Sequence, residues 1–456
     1  MRRAIEKVIE QWATEGDGRP LLIRGARRVG KTYAAEAVGG RVAGSFFVKL
    51  DFQTDLDLIA PLFDGPTDDV DAIMARIGDY KRVPLSKSSA FVLFDEVQLC
   101  ERALNSLRFF SGSGWRVCAT GSQLGVATRK RRLPFPSSVR QETMHPMTFE
   151  EFLWALGENQ MADAIRRHAE TFEPYPAHRD ALRYYWLYQV IGGMPAAVRA
   201  YCLTQSLDEV RVQQREIDET YTADMTDPDN GISGVAARKV WRSVPAQLLR
   251  SSTKKFKYSE VERGGRRAKL LEPLEWLEGA GVVAINNMTD CVQAPLVPFD
   301  DEEGSFFKVY LADTGLMFYK CAVNPRLWLD AMESDAIVGS ADFRGALAEN
   351  FAMQALCSNN LQTYYWTPPS FWKMTGELDF LLQTDRMEVV PVEVKSARNV
   401  RARTLASFMA KAEAPYAYLL SENDFSQVTA EGGAEIRQIP LYAAHCIGKG
   451  CVKAGM

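Results

Sequence analysis

Histidine is almost missing from this chain, with four in 456 residues. The eight cysteines are scattered, with no Cys-x-x-Cys and no histidine close enough to complete a metal-binding tetrad. These scarcities exclude a zinc-finger framework and a disulfide scaffold, and they fit free, mostly buried thiols in a reducing cytoplasm. Long apolar runs are lacking as well. No stretch approaches eighteen uncharged apolar residues, so no membrane span is expected. The opening "MRRAIEKVIEQWATEG" starts basic but then reads as an amphipathic helix, without the apolar core and cleavage site of a signal peptide. Nor does one sign of charge dominate. Net charge is −4, which excludes a globally basic nucleic-acid binder but leaves room for local basic patches.

What remains is an ordinary globular composition, 46% hydrophobic and 25% charged, in a chain long enough for roughly three domains. Residues 1–150 alternate short apolar strands ("PLLIRG", "SFFVKLDF", "AFVLFDE", "WRVCATGS") with helical stretches, which predicts a parallel α/β sheet covered by helices. From "HPMTFEEFLWALGEN" the pattern turns helical, interrupted only by "IGGMPAAV", and residues 151–230 read as a helical lid. Residues 231–330 give a short helix, a Gly-Gly turn, a longer helix and two strands, an order that fits a small winged-helix unit. Residues 335–456 open with the helix "RGALAENFAMQALCSN". Three strands, a helix and another strand follow, the pattern of a compact mixed α/β domain.

The stretch Gly25-Ala26-Arg27-Arg28-Val29-Gly30-Lys31-Thr32 fits the phosphate-binding P-loop pattern in full. Glycines let main-chain N–H groups curl around phosphate oxygens, a conformation that side chains would obstruct. The helix beginning near Lys31 points its positive end at the same anion. Lys31 would reach the β- and γ-phosphates of ATP, Thr32 would offer its hydroxyl to Mg²⁺, and the nucleotide-contacting run extends to Tyr33.

Sixty-odd residues on, "AFVLFDEVQL" runs five apolar residues into Asp95-Glu96, as expected of a buried parallel strand ending in acids at its carboxyl edge. Asp95 would hold Mg²⁺ through water, and Glu96 would polarise the attacking water. The next strand ends in Thr120-Gly121-Ser122. Its hydroxyls would either touch the γ-phosphate or lytic water, with Ser122 in a catalytic role, or cap the following helix. The basic run Arg129-Lys130-Arg131-Arg132 reads mostly as solvated surface.

A second acidic constellation lies far from the first. Residues two apart on a strand share a face, so Glu377 pairs with Asp379 in "GELDFLL" and Glu393 with Lys395 in "VVPVEVKS". If the two strands are neighbours, carboxylates and an ammonium converge. Pro391 suggests a bulge or a strand start there. Carboxylates that grip Mg²⁺ and a lysine that orients water are what phosphodiester cleavage needs. Alternating charge on a solvated strand yields Glu-x-Lys just as readily, but the flanking valines indicate a buried strand, where charges need partners. The basic stretches "KKFK" (Lys254 to Lys257) and "RGGRR" (Arg263 to Arg267) are either phosphate contacts or solvated faces.

Taken in order, "GARRVGKT", "FVLFDEVQ", "ATGSQLG", "HPMTFEEFL", "IGGMPAAV", "FKVYLADTGLM", "RGALAENF" and "GELDFLL…PVEVKS" resemble a family of prokaryotic ATPases. Its members join an AAA-type P-loop domain to a C-terminal restriction-endonuclease-like domain. The resemblance implies ATP and Mg²⁺ as ligands and ATP hydrolysis as the activity, with Ser122 at the polar sensor position. It gives Arg140 the place of an arginine finger, although Val139 stands where relatives carry glycine. It adds Glu349 to Asp379 and Glu393 as a Mg²⁺-binding set, with Lys395 completing a nuclease core. It implies the nuclease fold more than nuclease activity: the domain either cleaves DNA or RNA, or serves as an ATP-switched nucleic-acid or protein docking module. A ring-forming ATPase also needs a neighbour's arginine, which makes a homo-oligomer one expected partner.

Overall fold

The computed structural model describes residues 1–122, 137–250, 253–299, 306–334, 340–368, 376–396, 403–429, 434–448, 450–451 and 453. The basic run at 129–132 lies outside them. The chain divides into two compact units, one of Arg2–His145 with Gly279–Gly281, the other of Met1, Pro146–Glu278 and Val282–Met456.

In the first unit the four predicted strands form as Leu21–Arg24 (β1), Phe47–Asp51 (β2), Phe91–Asp95 (β3) and Val117–Gly121 (β4), and Arg140–Thr143 (β5) adds a fifth that the apolar pattern did not mark. Among the described residues they make a five-stranded sheet in the order β2-β3-β4-β1-β5, and every pairing in it is parallel. β3 and β4 are buried along their whole length, as expected of strands covered on both faces. The core against them is aromatic. Phe52, Phe63, Phe94 and Phe110 are fully buried, and the Phe63 and Phe94 rings meet edge to face at 5.4 Å. Cys118 of β4 stands level with Leu21 on one side and Leu93 on the other, with no exposed surface. Because β4 lies between β1 and β3, the ends of these three strands bring the loop after β1, the acids after β3 and the hydroxyls after β4 to one edge.

The second unit begins with helices at Phe149–Ala155, Asn159–Thr171, His178–Ile191, Pro195–Thr204, Leu207–Thr226 and Gly234–Arg250. The break at "IGGMPAAV" has a steric cause. Gly192 has φ +79°, and a Cβ there would lie 2.3 Å from Asp313 Oδ1. The next amide, Gly193 N–H, donates to Asp313 Oδ2 at 2.6 Å. Burial raises the Asp313 carboxyl to about 6 against the main-chain N–H groups that lower it.

The strands of this unit are Val283–Thr289 (β6), Phe307–Leu311 (β7), Tyr364–Trp366 (β8), Leu378–Gln383 (β9), Val389–Val394 (β10), Tyr416–Ser421 (β11), Ser426–Thr429 (β12) and Glu435–Pro440 (β13). Among the described residues they form one sheet in the order β12-β13-β11-β10-β9-β8-β6-β7. The two strands expected to belong to a separate winged-helix unit, β6 and β7, therefore extend the C-terminal sheet, with β6 parallel to β8 from Asn287 opposite Tyr364. Periodicity identified them as strands, but it carries no information about which strand lies alongside. Pro391 marks no bulge. It is the third residue of β10, opposite Leu381 of β9, and the ladder to β11 starts only at Val392. Among the described residues no helix is long and apolar enough to cross a membrane.

Candidate functional site

The loop from Gly25 to Gly30 joins β1 to the helix Lys31–Ala43. Gly25 has φ +148°, and a Cβ on it would fall 2.1 Å from the Met144 carbonyl oxygen, so only glycine fits. Gly30, at φ +97°, is the helix N-cap and offers no side chain to the first-turn N–H groups, which leaves those donors for an anion. Arg28 also adopts positive φ, at +65°. Ala26 and Val29 are buried beneath the loop, whereas Arg28 and Tyr33 face outward and Arg27 is half-buried. The buried guanidinium of Arg3 holds the loop from below, donating to the Val29 carbonyl at 2.5 Å and to the His145 carbonyl at 2.8 Å.

Lys31 is 4% exposed and folded over its own loop, donating to the carbonyls of Gly25 at 3.0 Å and Ala26 at 2.8 Å. Burial lowers its pKa to about 8, against the raising pull of Glu96 and Asp95. Thr32 donates its hydroxyl to Asp95 Oδ1 at 2.7 Å, and Thr120 donates to the same oxygen. The other oxygen, Oδ2, is ion-paired with Lys49 at 3.1 Å. Glu96 turns off the strand end with φ +54°. Its Oε2 accepts from Ser122 Oγ at 2.6 Å and from Gln98 Nε2 at 2.6 Å. Burial raises the Glu96 carboxyl, but the Lys31 charge and the Ser122 and Gln98 hydrogen bonds outweigh it, so the group lies below its ordinary value and stays ionised.

Lys31, Thr32, Asp95, Glu96 and Ser122 therefore share one centre. Thr32 and Asp95 supply two hard oxygen donors linked through a single hydrogen bond, the donor set that suits Mg²⁺ beside a phosphate. Arg140 does not join them within one chain. It begins β5 level with Leu21, at the opposite end of β1 from the loop, and donates to Glu142 Oε1 at 3.1 and 3.0 Å. Its sequence position gave order along the chain but not which end of the strand it occupies. Lys49, Gln98 and Arg3 went unnoticed in the sequence because each acts through contacts that no local motif encodes.

In the second unit the C-terminal acids also converge, in the company of more lysines than expected. Glu349, on the helix Ala341–Ser358, is 1% exposed. Its Oε1 accepts from Tyr310 at 2.5 Å and pairs with Lys308 at 3.1 Å, while its Oε2 pairs with Lys254. Lys308, itself 1% exposed, also reaches Glu377 at 2.6 Å and lies 5.1 Å from the centre of the Tyr365 ring. Burial would raise the Glu349 carboxyl, but Lys308 and Lys254 bring it down to about 2.

Asp379 Oδ2 accepts from the Val394 N–H at 2.8 Å. Glu393 pairs through Oε1 with Lys395, and its buried Oε2 has no hydrogen-bond partner among the described residues. Burial first, then the Asp379 charge, raises the Glu393 carboxyl to about 7. The expected Asp379, Glu393 and Lys395 juxtaposition thus forms. Both oxygens of Glu349 are engaged, by two ammonium groups and a phenol. Among the described residues no group of three or more His, Cys, Asp or Glu is arranged to hold a metal ion. Lys254, Lys308 and Tyr310 were missed as members of this cluster; an unbroken apolar run around Lys308 was the only sign of its burial.

Comparison with known proteins divides the chain in three. Residues 17–153 match a family described as AAA domain. Residues 181–326 and 344–442 match two families described as domains of unknown function, DUF8612 and DUF4143. No curated protein matches. Solved structures with some likeness include PCH-2 of C. elegans, 15% identical, covering 46% of this chain and 65% of that one, with a TM-score of 0.26. CDC6P of Pyrobaculum aerophilum is 13% identical over 73% of this chain and 96% of its own, at 0.24. A signal-transduction ATPase with numerous domains (STAND) from Pyrococcus horikoshii, carrying a tetratricopeptide repeat sensor, is 12% identical over 78% of this chain and 48% of its own, at 0.27. At these scores the likenesses decide nothing further. The family match and the parallel sheet with its glycine loop agree, and together they support an AAA-type P-loop fold for the N-terminal part of this chain.

Proposed function

We propose that this chain is a Mg²⁺-dependent ATPase whose nucleotide state controls a nuclease-like C-terminal part that binds or acts on nucleic acid. The observation that carries the first half is the 2.7 Å hydrogen bond from Thr32 to Asp95, which joins the P-loop helix to the acids at the end of β3. Loop amides and Lys31 bind the phosphates of ATP, exchanging the carbonyls that Lys31 now holds for phosphate oxygens. Bound Mg²⁺ supplies Lewis-acid stabilisation of charge on the phosphates, with Thr32 and Asp95 as the residues that hold it. Glu96, kept ionised and aimed by Ser122 and Gln98, orients the attacking water and draws its proton.

The test is equilibrium binding of labelled ATP with Mg²⁺, followed by turnover. Lys31→Ala abolishes binding. Glu96→Gln keeps binding and lowers kcat by about 10²-fold or more. Turnover at the parental rate in Glu96→Gln removes that residue from the mechanism. A finger role for Arg140 requires a second copy of the chain, and mass in solution with and without ATP tests for one.

For the C-terminal part, one observation favours a docking module over a nuclease. The ammonium groups of Lys308 and Lys254 neutralise the acid that would complete a metal set. On this reading nucleic acid binds with affinity that falls steeply with salt and is not cut. Plasmid incubated with Mn²⁺, with and without ATP, decides it. Cleavage lost in Asp379→Ala restores the nuclease reading.

A further inference from the structure

Lys49 belongs to no motif, yet its ammonium sits among three carboxylates. It lies 3.0 Å from Glu36 Oε1, 3.1 Å from Asp95 Oδ2 and 3.2 Å from Asp51 Oδ2. We propose that Lys49 is the resident counter-ion of Asp95 in the nucleotide-free protein, and that it sets the Mg²⁺ concentration at which nucleotide binds. The inference rests on the ATP-site reading above and assigns a positioning role to a residue outside the usual set of P-loop and acidic residues.

The geometry is particular. β2 and β3 run parallel, with Lys49 opposite Leu93 and Asp51 opposite Asp95, so Lys49 reaches forward along its own strand toward the acids. Asp95 is saturated. Its Oδ1 takes the hydroxyls of Thr32 and Thr120, and its Oδ2 takes Lys49. A divalent cation that approaches Asp95, directly or through water, meets the ammonium at Oδ2, and that is the partner it repels.

Lys49 has somewhere to go. Glu36 lies one turn beyond Thr32 on the P-loop helix. Asp51 uses its Oδ1 to accept the N–H groups of Gln53 and Thr54, at 3.0 and 3.2 Å, which leaves Oδ2 for Lys49. Retreat onto these two carboxylates frees Asp95 without stranding the ammonium.

Two opposite effects follow for Lys49→Met. Without Mg²⁺, nucleotide binds more weakly, because a cation beside the phosphate site is lost. With Mg²⁺, the half-saturating metal concentration falls by about fivefold, because Asp95 is released. Lys49→Arg, which keeps the charge, restores the parental midpoint.

The experiment is equilibrium binding of a fluorescent ATP analogue to the full chain, first in EDTA and then across a Mg²⁺ titration, with Mn²⁺ binding by electron paramagnetic resonance as a second readout. An unchanged or raised Mg²⁺ midpoint in Lys49→Met overturns this inference while leaving the ATPase reading intact. A parental protein that binds no analogue with Mg²⁺ sinks both. If Lys49→Met does not fold, Glu36→Gln serves in its place: it throws Lys49 back onto Asp95, so the midpoint rises, and a fall overturns the proposal.

Discussion

Lys31 hydrogen-bonds two carbonyls of its own loop, and burial holds its pKa near 8 rather than the 10.5 of a free lysine. Phosphate binding needs the ammonium form, so nucleotide binding draws a proton onto Lys31 wherever the free protein has lost one. The sign is fixed by that uptake. ATP affinity is level below about pH 8 and declines above it, by up to about tenfold per pH unit once the free protein is largely deprotonated. Measured Kd values at pH 7, 8 and 9 check this, and a flat profile would mean that Lys31 is already charged in the empty site. Glu96 behaves oppositely: held below its ordinary value, it is ionised throughout this range and contributes no slope. The same scale shows what a sequence reveals. Gly25, Lys31, Thr32, Asp95 and Glu96 were legible because their chemistry follows from neighbours along the chain. Lys49 and Gln98 were not, because their partners are set by which strands lie side by side.

The helix Ala341–Ser358 shows how one element can carry a buried charge. Glu349 faces the sheet with Lys308, Tyr310 and Lys254 around it, and Lys308 in turn holds Glu377. Removing one partner from so buried a network strands the others. Lys308→Met should destabilise the protein by about 3–5 kcal/mol. Arg326→Met should cost under about 1 kcal/mol, because Arg326 and its partner Asp208 are both largely exposed. Urea midpoints for the two variants separate these cases, and equal losses would contradict the burial argument. Elements themselves were largely readable: β1 to β4 and β8 to β11 appear where apolar runs predicted them. The polar strands β12, at the sheet edge, and β13 beside it were not foreseen, since "SQVT" and "EIRQIP" bury too little for an apolar pattern to mark them. The union of β6 and β7 with the C-terminal sheet was hidden for a different reason: strand partnership is a property of the assembled sheet.

At the scale of the whole molecule, a parallel sheet with its middle strand fully enclosed shields whatever that strand carries. Cys118 lies fully buried in β4, and burial raises its thiol far above the usual range. A maleimide or iodoacetamide cannot reach it while the sheet stays closed, so its alkylation times the opening of the entire first unit. Ligands that bind only the closed form slow such opening. In peptide-resolved mass spectrometry, Cys118 should therefore label more slowly with ATP and Mg²⁺ present, while the half-buried Cys291 of the second unit keeps its rate. A thiol hidden for packing alone thus offers a clock for nucleotide engagement that requires neither a dye nor a catalytic event.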